Sequence, residues 1–375
     1  MTFPLLAALA FTLPTALVAA VIGLIRWLLG RPQRRYWRVA LQVHLALFPL
    51  HLFVTFPAAI GYVDSQLIGT RGDEGSYAGP RVLPSGELQV QTTSTLRAER
   101  AAGGPALDDA TLAAVAGRTH RVATSEGVAL RVYCIEPVDA EPQFVALLVH
   151  GLFRSSMELE PVAKMLRQRG GEVWLMDQRN HGSSSRAPFT GGLRESDDVV
   201  AVVDYMRRQP GRAERPLVIL GVSLGTVAVA LALPRLDGVA GVVLDAPIDD
   251  LTAAAHRMMT FRRPGDRRSS LYMYEPWRSL IVTAIGWWSG FSMSDVRPIE
   301  VVATMPHDLP VLVVAEELDD RAPPDSVENM FVRMPQHEGT KELWRVGDVG
   351  HAKAFRERPA EYDEALGRLL ARLRR

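Results

Sequence analysis

The sequence has almost no cysteine and no excess of charge of either sign. Cys134 is the one cysteine in 375 residues, which excludes an internal disulfide framework and a zinc site built on cysteine ligands. Lysine and arginine together number 42, as do aspartate and glutamate, and no long basic run is interleaved with aromatic residues. A nucleic-acid-binding surface needs such a basic excess, so we exclude nucleic acid as a partner.

Charged residues are also missing from the start of the chain. None occurs between Met1 and Ile25, and a second uncharged stretch runs from Val39 to Val63. A helix of about 20 apolar residues crosses the roughly 30 Å hydrocarbon layer of a bilayer. The pattern therefore predicts a transmembrane helical hairpin over residues 1–63, in contact with membrane lipids.

A basic loop separates the two apolar stretches. The segment from Gly30 to Arg38 contains four arginines, and Arg26 precedes it. Short loops rich in arginine stay in the cytoplasm, so we predict two spans in the cytoplasmic membrane and an extracytoplasmic domain after Asp64. A cleavable signal peptide is the alternative, but its basic region would precede the apolar core, and here Met-Thr-Phe-Pro comes first.

The composition changes again at residues 64 and 118. Residues 64–117 are rich in Gly, Pro, Ser, Thr and Ala and lack a sustained apolar period before Leu107–Val115, which predicts a linker with one short helix. Two strand-like runs follow, Arg118–Thr124 and Val128–Ile135. Ser-Glu-Gly separates them, a turn signal that predicts a hairpin.

Short apolar runs then alternate with amphipathic segments as far as the C-terminus. The predicted strands are Phe144–Val149, Glu172–Met176, Pro216–Leu220, Gly241–Leu244, Pro310–Val314 and Glu342–Val346. The predicted helices include Met157–Arg169, Arg194–Arg208, Leu224–Pro234 and Pro359–Arg374. This alternation is typical of the α/β class, with a mostly parallel central sheet flanked by helices.

An insertion over residues 248–298 is too long for a plain connection between strands. We interpret it as a helical cap over the pocket. Its apolar stretch, Trp277–Phe291, is too short to cross a bilayer, so it packs on the core, lines an acyl-chain pocket or dips into lipid. Four arginines of the insertion either contact anionic headgroups or lie in a solvated loop: Arg262, Arg263, Arg267 and Arg268.

A Gly-x-Ser-x-Gly pentapeptide follows the predicted strand Pro216–Leu220. It runs from Gly221 to Gly225 and directly precedes an Ala/Val-rich helix. A serine at such a strand-to-helix turn has an exposed hydroxyl, and the glycines avoid collision with the neighbouring strand and helix. Ser223 is therefore the candidate nucleophile.

From about Arg118 to the C-terminus the sequence resembles the α/β-hydrolase superfamily. Besides the pentapeptide, the resemblance rests on Leu148–Leu152, Asp177–Ser184, Ala315–Pro324 and Gly347–His351. The family order of nucleophile, acid and histidine implies Asp319, four residues before Pro323, as the acid and His351 as the base. It also implies an oxyanion hole made by the backbone N–H groups of Leu152 and Leu224.

Some assignments stay open, and the sequence departs from the family at two positions. Asp320 is a second candidate acid, and Asp245 a third, because some relatives draw the acid from the strand before the cap. Asn180 replaces the usual glycine of its motif, and Glu316 stands where many members carry one.

The resemblance implies a serine hydrolase that acts through an acyl-enzyme intermediate on esters or thioesters, without a metal or organic cofactor. The expected substrate is a small-molecule or lipid-derived acyl compound. A serine peptidase of the prolyl-oligopeptidase type and a non-catalytic membrane scaffold are the alternatives. The predicted architecture is an α/β-hydrolase fold over residues 118–375 with a helical cap, preceded by the linker and the transmembrane helical hairpin.

Overall fold

A computed structural model describes most of the chain. The described residues are 2–58, 60, 81–82, 88–89, 118–137, 141–152, 154–260, 275 and 277–373. The predicted helix Leu107–Val115 lies outside them, as do Arg262, Arg263, Arg267 and Arg268 of the insertion. The chain divides into two compact units, Met1–Leu67 with Ser270–Gly290 and Ile68–Ser269 with Phe291–Arg375.

Helices and strands alternate along the described chain. The helices are α1 (Thr2–Leu28), α2 (Arg34–Leu50), α3 (Glu160–Gln168), α4 (Leu193–Arg207), α5 (Leu224–Ala232), α6 (Leu251–Thr260), α7 (Trp277–Ser289), α8 (Pro298–Val301), α9 (Pro324–Arg333), α10 (Ala354–Glu357) and α11 (Pro359–Leu370). The strands are β1 (Arg81–Val82), β2 (Leu88–Gln89), β3 (Arg118–Ala123), β4 (Ala129–Ile135), β5 (Phe144–Val149), β6 (Gly171–Met176), β7 (Leu217–Val222), β8 (Val239–Asp245), β9 (Val311–Glu316) and β10 (Lys341–Val346). Single 3-10 turns occupy Ser156–Leu159, Leu233–Arg235, Met293–Asp295 and Val302–Thr304.

The first unit contains the two N-terminal helices. Helix α1 ends at Leu28, the turn after it contains Gly30, whose φ of 63° suits a residue without a side chain, and α2 begins at Arg34. The predicted basic loop is therefore wrong in extent, because three of its arginines lie in the first turns of α2. Pro32 interrupts the helical hydrogen bonds, and arginine is a good helix former, so the helix restarts within the basic segment.

One described helix is long and apolar enough to cross a membrane, judged by its length and composition. This helix, Arg34–Ala58, includes the π-helical turn His51–Thr55 and has a mean hydropathy of 1.7, with 6% of its apolar window buried. The described apolar part of α1, Thr15–Leu28, is shorter. Arg34–Ala58 lies near the N-terminus and is mostly exposed.

A third helix of the first unit comes from the insertion between β8 and β9. The described part of the insertion contains α6 and α7. Phe56 and Ile60, at the end of the apolar N-terminal segment, are buried against Ala284 of α7, and Leu280 and Trp288 pack around them. The apolar stretch of the insertion thus shares a small core with the N-terminal helices.

An eight-stranded sheet forms the centre of the second unit. Its order is β10-β9-β8-β7-β5-β6-β4-β3, and every neighbouring pair from β10 to β6 is parallel. Strands β3 and β4 form the predicted antiparallel hairpin, closed by a Thr124–Val128 turn. Cys134 is buried on β4. The mostly parallel sheet predicted from sequence is confirmed, and β1 pairs with β2 in a separate two-stranded ribbon.

Apolar side chains from the sheet and its helices make one large core. Val162 and Leu166 of α3 and Leu366 and Leu369 of α11 are fully buried in it, with side chains from β4 to β10. Each such aliphatic side chain stabilises the fold by roughly 1.5–3 kcal/mol. The rigid layers fix where the strands end, and the candidate site lies at those ends.

Candidate active site

The predicted site residues lie at the carboxyl ends of four strands in the parallel part of the sheet. Gly151 and Leu152 follow β5, Ser223 follows β7, Asp319 follows β9 and His351 follows β10. In open α/β sheets this edge is where ligands bind, because the loops there converge from neighbouring strands. Four segments far apart in sequence thus reach one edge of the sheet.

Ser223 occupies a strained turn between β7 and α5. Its φ of 52° and ψ of −122° are unusual for a residue with a side chain, and its N–H donates to Asp245 O at 2.8 Å. A Cβ at Gly221 would lie 2.8 Å from the carbonyl oxygen of Gly225, and one at Gly225 would lie 2.6 Å from that of His150. The two glycines are therefore required by close backbone approach, as predicted.

A continuous chain of hydrogen bonds joins the three predicted triad residues. Ser223 Oγ lies 2.6 Å from His351 Nε2, and His351 Nδ1 lies 2.7 Å from Asp319 Oδ2. The carboxylate can only accept, so Nδ1 carries the ring proton, and Nε2 is left to accept the serine proton. This is the arrangement in which an imidazole activates a hydroxyl.

Backbone donors fix the orientation of the Asp319 carboxylate. Its Oδ1 accepts the N–H groups of Arg321 and Ala322 at 2.8 and 2.9 Å, which leaves Oδ2 for His351. Asp320 is exposed, and Asp245 accepts the hydroxyl of Tyr362 at 2.9 Å. In the described chain, Asp319 is thus the one of the three candidate acids whose carboxylate is hydrogen-bonded to the histidine.

The loop of Leu152 passes directly beside the nucleophile. A Cβ at Gly151 would lie 3.2 Å from Ser223 Cβ and 3.7 Å from its Oγ. His150 braces this loop: its Nε2 accepts the N–H of Gln178 at 3.1 Å, and its Nδ1 donates to Gly151 O at 2.7 Å. Burial lowers the pKa of His150, which keeps the ring neutral for these two bonds.

The other predicted oxyanion donor, Leu224, is the first residue of α5. The first N–H groups of a helix have no acceptor within the helix, and they carry the positive end of its dipole. Since Ser223 immediately precedes α5, a negative charge that develops beside the serine would face this helix end.

The Asp177–Ser184 motif serves the fold around the site. The Asp177 carboxylate accepts the N–H groups of Ser156 and Ser183, each at 2.8 Å. Asn180, which departs from the family glycine, has a φ of 63°. Asparagine is one of the few residues other than glycine that adopt this left-handed conformation readily, so the departure is conservative in backbone terms.

A buried pair of carboxyls, Asp245 and Glu316, lies behind the triad; the sequence offered Asp245 only as an alternative acid and gave Glu316 no role. Glu316 is fully buried, and its Oε1 accepts the N–H groups of Lys353 and Ala354 at 3.1 and 3.3 Å. Asp245, equally buried, lies beside Glu316 and accepts the hydroxyl of Tyr362. The sequence signal was a glutamate in the apolar run of β9 at a position where relatives often carry glycine.

The pKa values of this carboxyl pair are displaced upward. Burial raises the pKa of Asp245 to about 7, and the charge of Asp319 adds to the effect. Burial raises the pKa of Glu316 to about 10, with the charges of Asp245 and Asp319 as the next causes. The pair therefore holds a proton at neutral pH.

The described residues contain no group of three or more histidine, cysteine, aspartate or glutamate side chains arranged to hold a metal ion. The polar groups at the strand ends instead form the serine, histidine and aspartate chain. The chemistry that this arrangement supports is acyl transfer to a serine hydroxyl.

Comparison with known proteins agrees with this fold. The sequence model of the family described as serine aminopeptidase, S33, matches residues 140–266. The uncharacterized protein YqkD of Bacillus subtilis (strain 168) is 22% identical over 252 residues, covering 66% of this chain and 77% of the relative.

Two solved structures illustrate the structural likeness. An esterase of Pyrococcus furiosus superposes with a TM-score of 0.54 at 20% identity, covering 68% of this chain and 91% of that one. The α/β-hydrolase GrgF of Penicillium sp. sh18 gives a TM-score of 0.51 at 20% identity, covering 68% and 98%. The chain thus has the α/β-hydrolase fold, and residues 140–266 are similar to a serine aminopeptidase family.

Proposed function

We propose that the protein is a membrane-anchored serine hydrolase that cleaves ester or thioester acyl groups. The single observation that carries the proposal is the hydrogen-bonded chain of Ser223, His351 and Asp319, at 2.6 and 2.7 Å. Ser223 is the nucleophile, His351 the general base and Asp319 the group that orients the imidazole.

The reaction follows from the direction of these bonds. Ser223 Oγ attacks the acyl carbon and passes its proton to His351 Nε2, and the resulting imidazolium protonates the leaving alcohol or thiol. Water then attacks the acyl-enzyme, again giving its proton to His351, and the acid leaves as Ser223 regains its hydroxyl. The N–H groups of Leu152 and Leu224 stabilise the oxyanion in both steps, which is worth roughly 100- to 1,000-fold per donor.

The N-terminal helices form the membrane anchor. In this proposal α1 and the Arg34–Ala58 helix both span the cytoplasmic membrane, and the arginines at their facing ends stay in the cytoplasm. Residues after Asp64, including the hydrolase domain, are then extracytoplasmic. An alkaline phosphatase reporter fused after Asp64 is expected to be active; an inactive phosphatase with an active cytoplasmic reporter at the same site would reverse the topology.

The substrate proposed is a small-molecule or lipid-derived acyl compound, with lipid favoured. The favouring observation is that Ala284 of α7 is buried against Phe56 and Ile60, so the apolar helix of the insertion belongs to the same compact unit as the anchor. Trp287 of this helix remains about half exposed, as suits a tryptophan at a lipid interface.

The test combines covalent labelling and turnover by the full-length protein in detergent or vesicles. A fluorophosphonate probe should label the wild type, and Ser223→Ala should abolish labelling and reduce hydrolysis of nitrophenyl esters by at least about 1,000-fold. Ser292→Ala, which alters an exposed serine, is the matched control. Equal labelling of Ser223→Ala and wild type would contradict the proposal.

A peptidase is the second candidate, because the matched family model is described as serine aminopeptidase. Aminoacyl nitroanilides measured beside nitrophenyl esters of graded chain length separate the two activities. Preference for long acyl chains supports the lipid-derived substrate, whereas faster turnover of the anilides supports the peptidase. Folded wild type that no probe labels would support a non-catalytic scaffold.

A further inference from the structure

The turn that carries His351 is strained immediately after the histidine. Ala352 has a φ of 55°, a left-handed conformation that costs a residue with a Cβ about 1 kcal/mol. The next two N–H groups, of Lys353 and Ala354, both point at Glu316 Oε1, at 3.1 and 3.3 Å. Asp319 therefore holds the imidazole ring, while Glu316 holds the backbone that follows it.

The acceptor role of Glu316 depends on its partner Asp245. Both side chains are fully buried, and no N–H or O–H donor of the described residues reaches Asp245 Oδ1 or Glu316 Oε2. Two carboxylates in this position would repel each other without solvent screening. One proton shared between the two carboxyls removes the repulsion and satisfies both oxygens.

The side chains around Asp245 and Glu316 do not neutralise the pair, so a proton does. The groups that face the pair are Tyr362 from α11, Asp319 from the loop after β9 and Glu158 from the 3-10 turn after β5. Glu158 is itself paired with Arg154 and Arg356, whose guanidinium groups lie 3.4 and 3.6 Å from its Oε1. Among the described groups that face Asp245 and Glu316, negative and neutral side chains thus predominate.

We propose that Glu316 is a positioning residue for the catalytic histidine, and that a proton shared with Asp245 keeps it in place. This inference rests on the proposed function, because it assigns Glu316 to the geometry of His351. Glu316 touches no reacting atom; it stabilises the strained turn so that His351 Nε2 stays within reach of Ser223.

Glutamine is the conservative replacement. Its Oε1 can accept the same two backbone N–H groups, and its amide can donate to Asp245 at every pH. Alanine removes the acceptor and leaves Lys353 and Ala354 without it. The pair Glu316→Gln and Glu316→Ala therefore separates hydrogen bonding from ionisation.

The experiment measures kcat, KM and probe labelling between pH 6 and 10 for the wild type and both variants. At pH 7.5, Glu316→Ala should lower kcat by about 10- to 100-fold with KM changed less than about threefold, and Glu316→Gln should restore most of that loss. As the pH approaches 10, wild-type kcat should fall as the pair loses its last proton. Glu316→Gln should lack this alkaline loss.

Glu172→Ala is the control, since Glu172 is buried at the start of β6 beside Arg212, at the opposite end of the strands. It should lower thermal stability without changing the pH profile of kcat. The inference would be overturned if Glu316→Ala had the same kcat as wild type. It would also be overturned if kcat fell equally at alkaline pH in wild type and Glu316→Gln. If Glu316→Ala does not fold, the pH profile of the glutamine variant still decides. Unlabelled, inactive wild type would instead contradict the proposed function.

Discussion

Two buried acidic clusters in the second unit are neutralised in different ways. Arg179, fully buried, donates from Nε and Nη2 to the two oxygens of Asp198, both at 2.7 Å, and from Nη1 to Glu126 at 2.8 Å. Burial opposes the positive charge, but the hydrogen bonds and charge of Asp198 raise the pKa of Arg179 overall. Asp245 and Glu316 instead share a proton.

The difference lies in what each cluster can respond to. A guanidinium stays charged at every pH that a protein survives, so Arg179 is a permanent brace even though burial raises the pKa of its partner Asp198 to about 7. The carboxyl pair can release its proton, so its stabilising effect depends on pH. The permanent brace joins α4 to the hairpin turn, whereas the titratable pair is bonded to the turn that carries the histidine.

Removal of the permanent cation should have the largest effect on stability. Arg179→Met leaves Asp198 and Glu195, whose carboxylate lies 3.8 Å from Arg179, buried without their counter-ion, which typically costs about 3–5 kcal/mol. Urea unfolding followed by circular dichroism measures the change in unfolding free energy. A loss below about 1 kcal/mol would mean that this cluster also relies on protons.

Neutralising one acid in each cluster gives a matched comparison. Asp198→Asn breaks a charged, two-bonded pair and should cost about 1.5–3 kcal/mol. Glu316→Gln replaces a group that is already neutral and should cost less than about 1 kcal/mol at pH 7. Equal losses in the same urea assay would remove the distinction between the clusters.

The pH dependence of stability should distinguish the clusters further. Burial raises the pKa of Glu316 from 4.5 to about 10, so between these values the folded state binds more protons than the unfolded state. The wild type therefore loses stability as pH rises through this window. Glu316→Gln lacks this term, so its stability relative to wild type should improve by about 1 kcal/mol or more from pH 6 to 9. A constant difference would contradict the raised pKa.

Removal of an exposed ion pair should have the smallest effect on stability. Lys164 pairs with Glu160 on α3, but the lysine side chain is 67% exposed, so water and salt screen the attraction. Lys164→Gln should change the unfolding free energy by less than about 0.5 kcal/mol, and added salt should reduce the difference. A larger effect would show that exposure alone does not separate strong from weak pairs here.

The sequence predicted the elements that depend on local pattern. Strands such as Phe144–Val149 were predicted with correct bounds, because parallel strands buried on both faces are continuous apolar runs. Ser223, Asp319 and His351 could be chosen because each occupies a family motif at a strand end. The sequence does not give the distances between these three side chains, which depend on the fold, and their catalytic roles are a proposal.

The features that sequence did not predict depend on tertiary contacts. In the sequence, Glu316 is only a departure from the family pattern, because nothing in the residues around it along the chain shows that its carboxyl accepts hydrogen bonds from Lys353 and Ala354. The packing of α7 on Phe56 joins segments more than two hundred residues apart, which no local period encodes. The predicted basic loop was too long because arginines, whose charge was used to predict the membrane topology, can also form a helix.

The burial of Cys134 makes the chain a convenient background for chemical mapping. Its thiol is enclosed on β4, and burial raises its pKa, so it should stay unreactive while the fold is intact. A new cysteine at exposed Arg31 or Glu214 would then be the one reactive thiol in its variant. An impermeant maleimide applied to whole cells would report which of the two positions faces the medium, with no native cysteine to remove first.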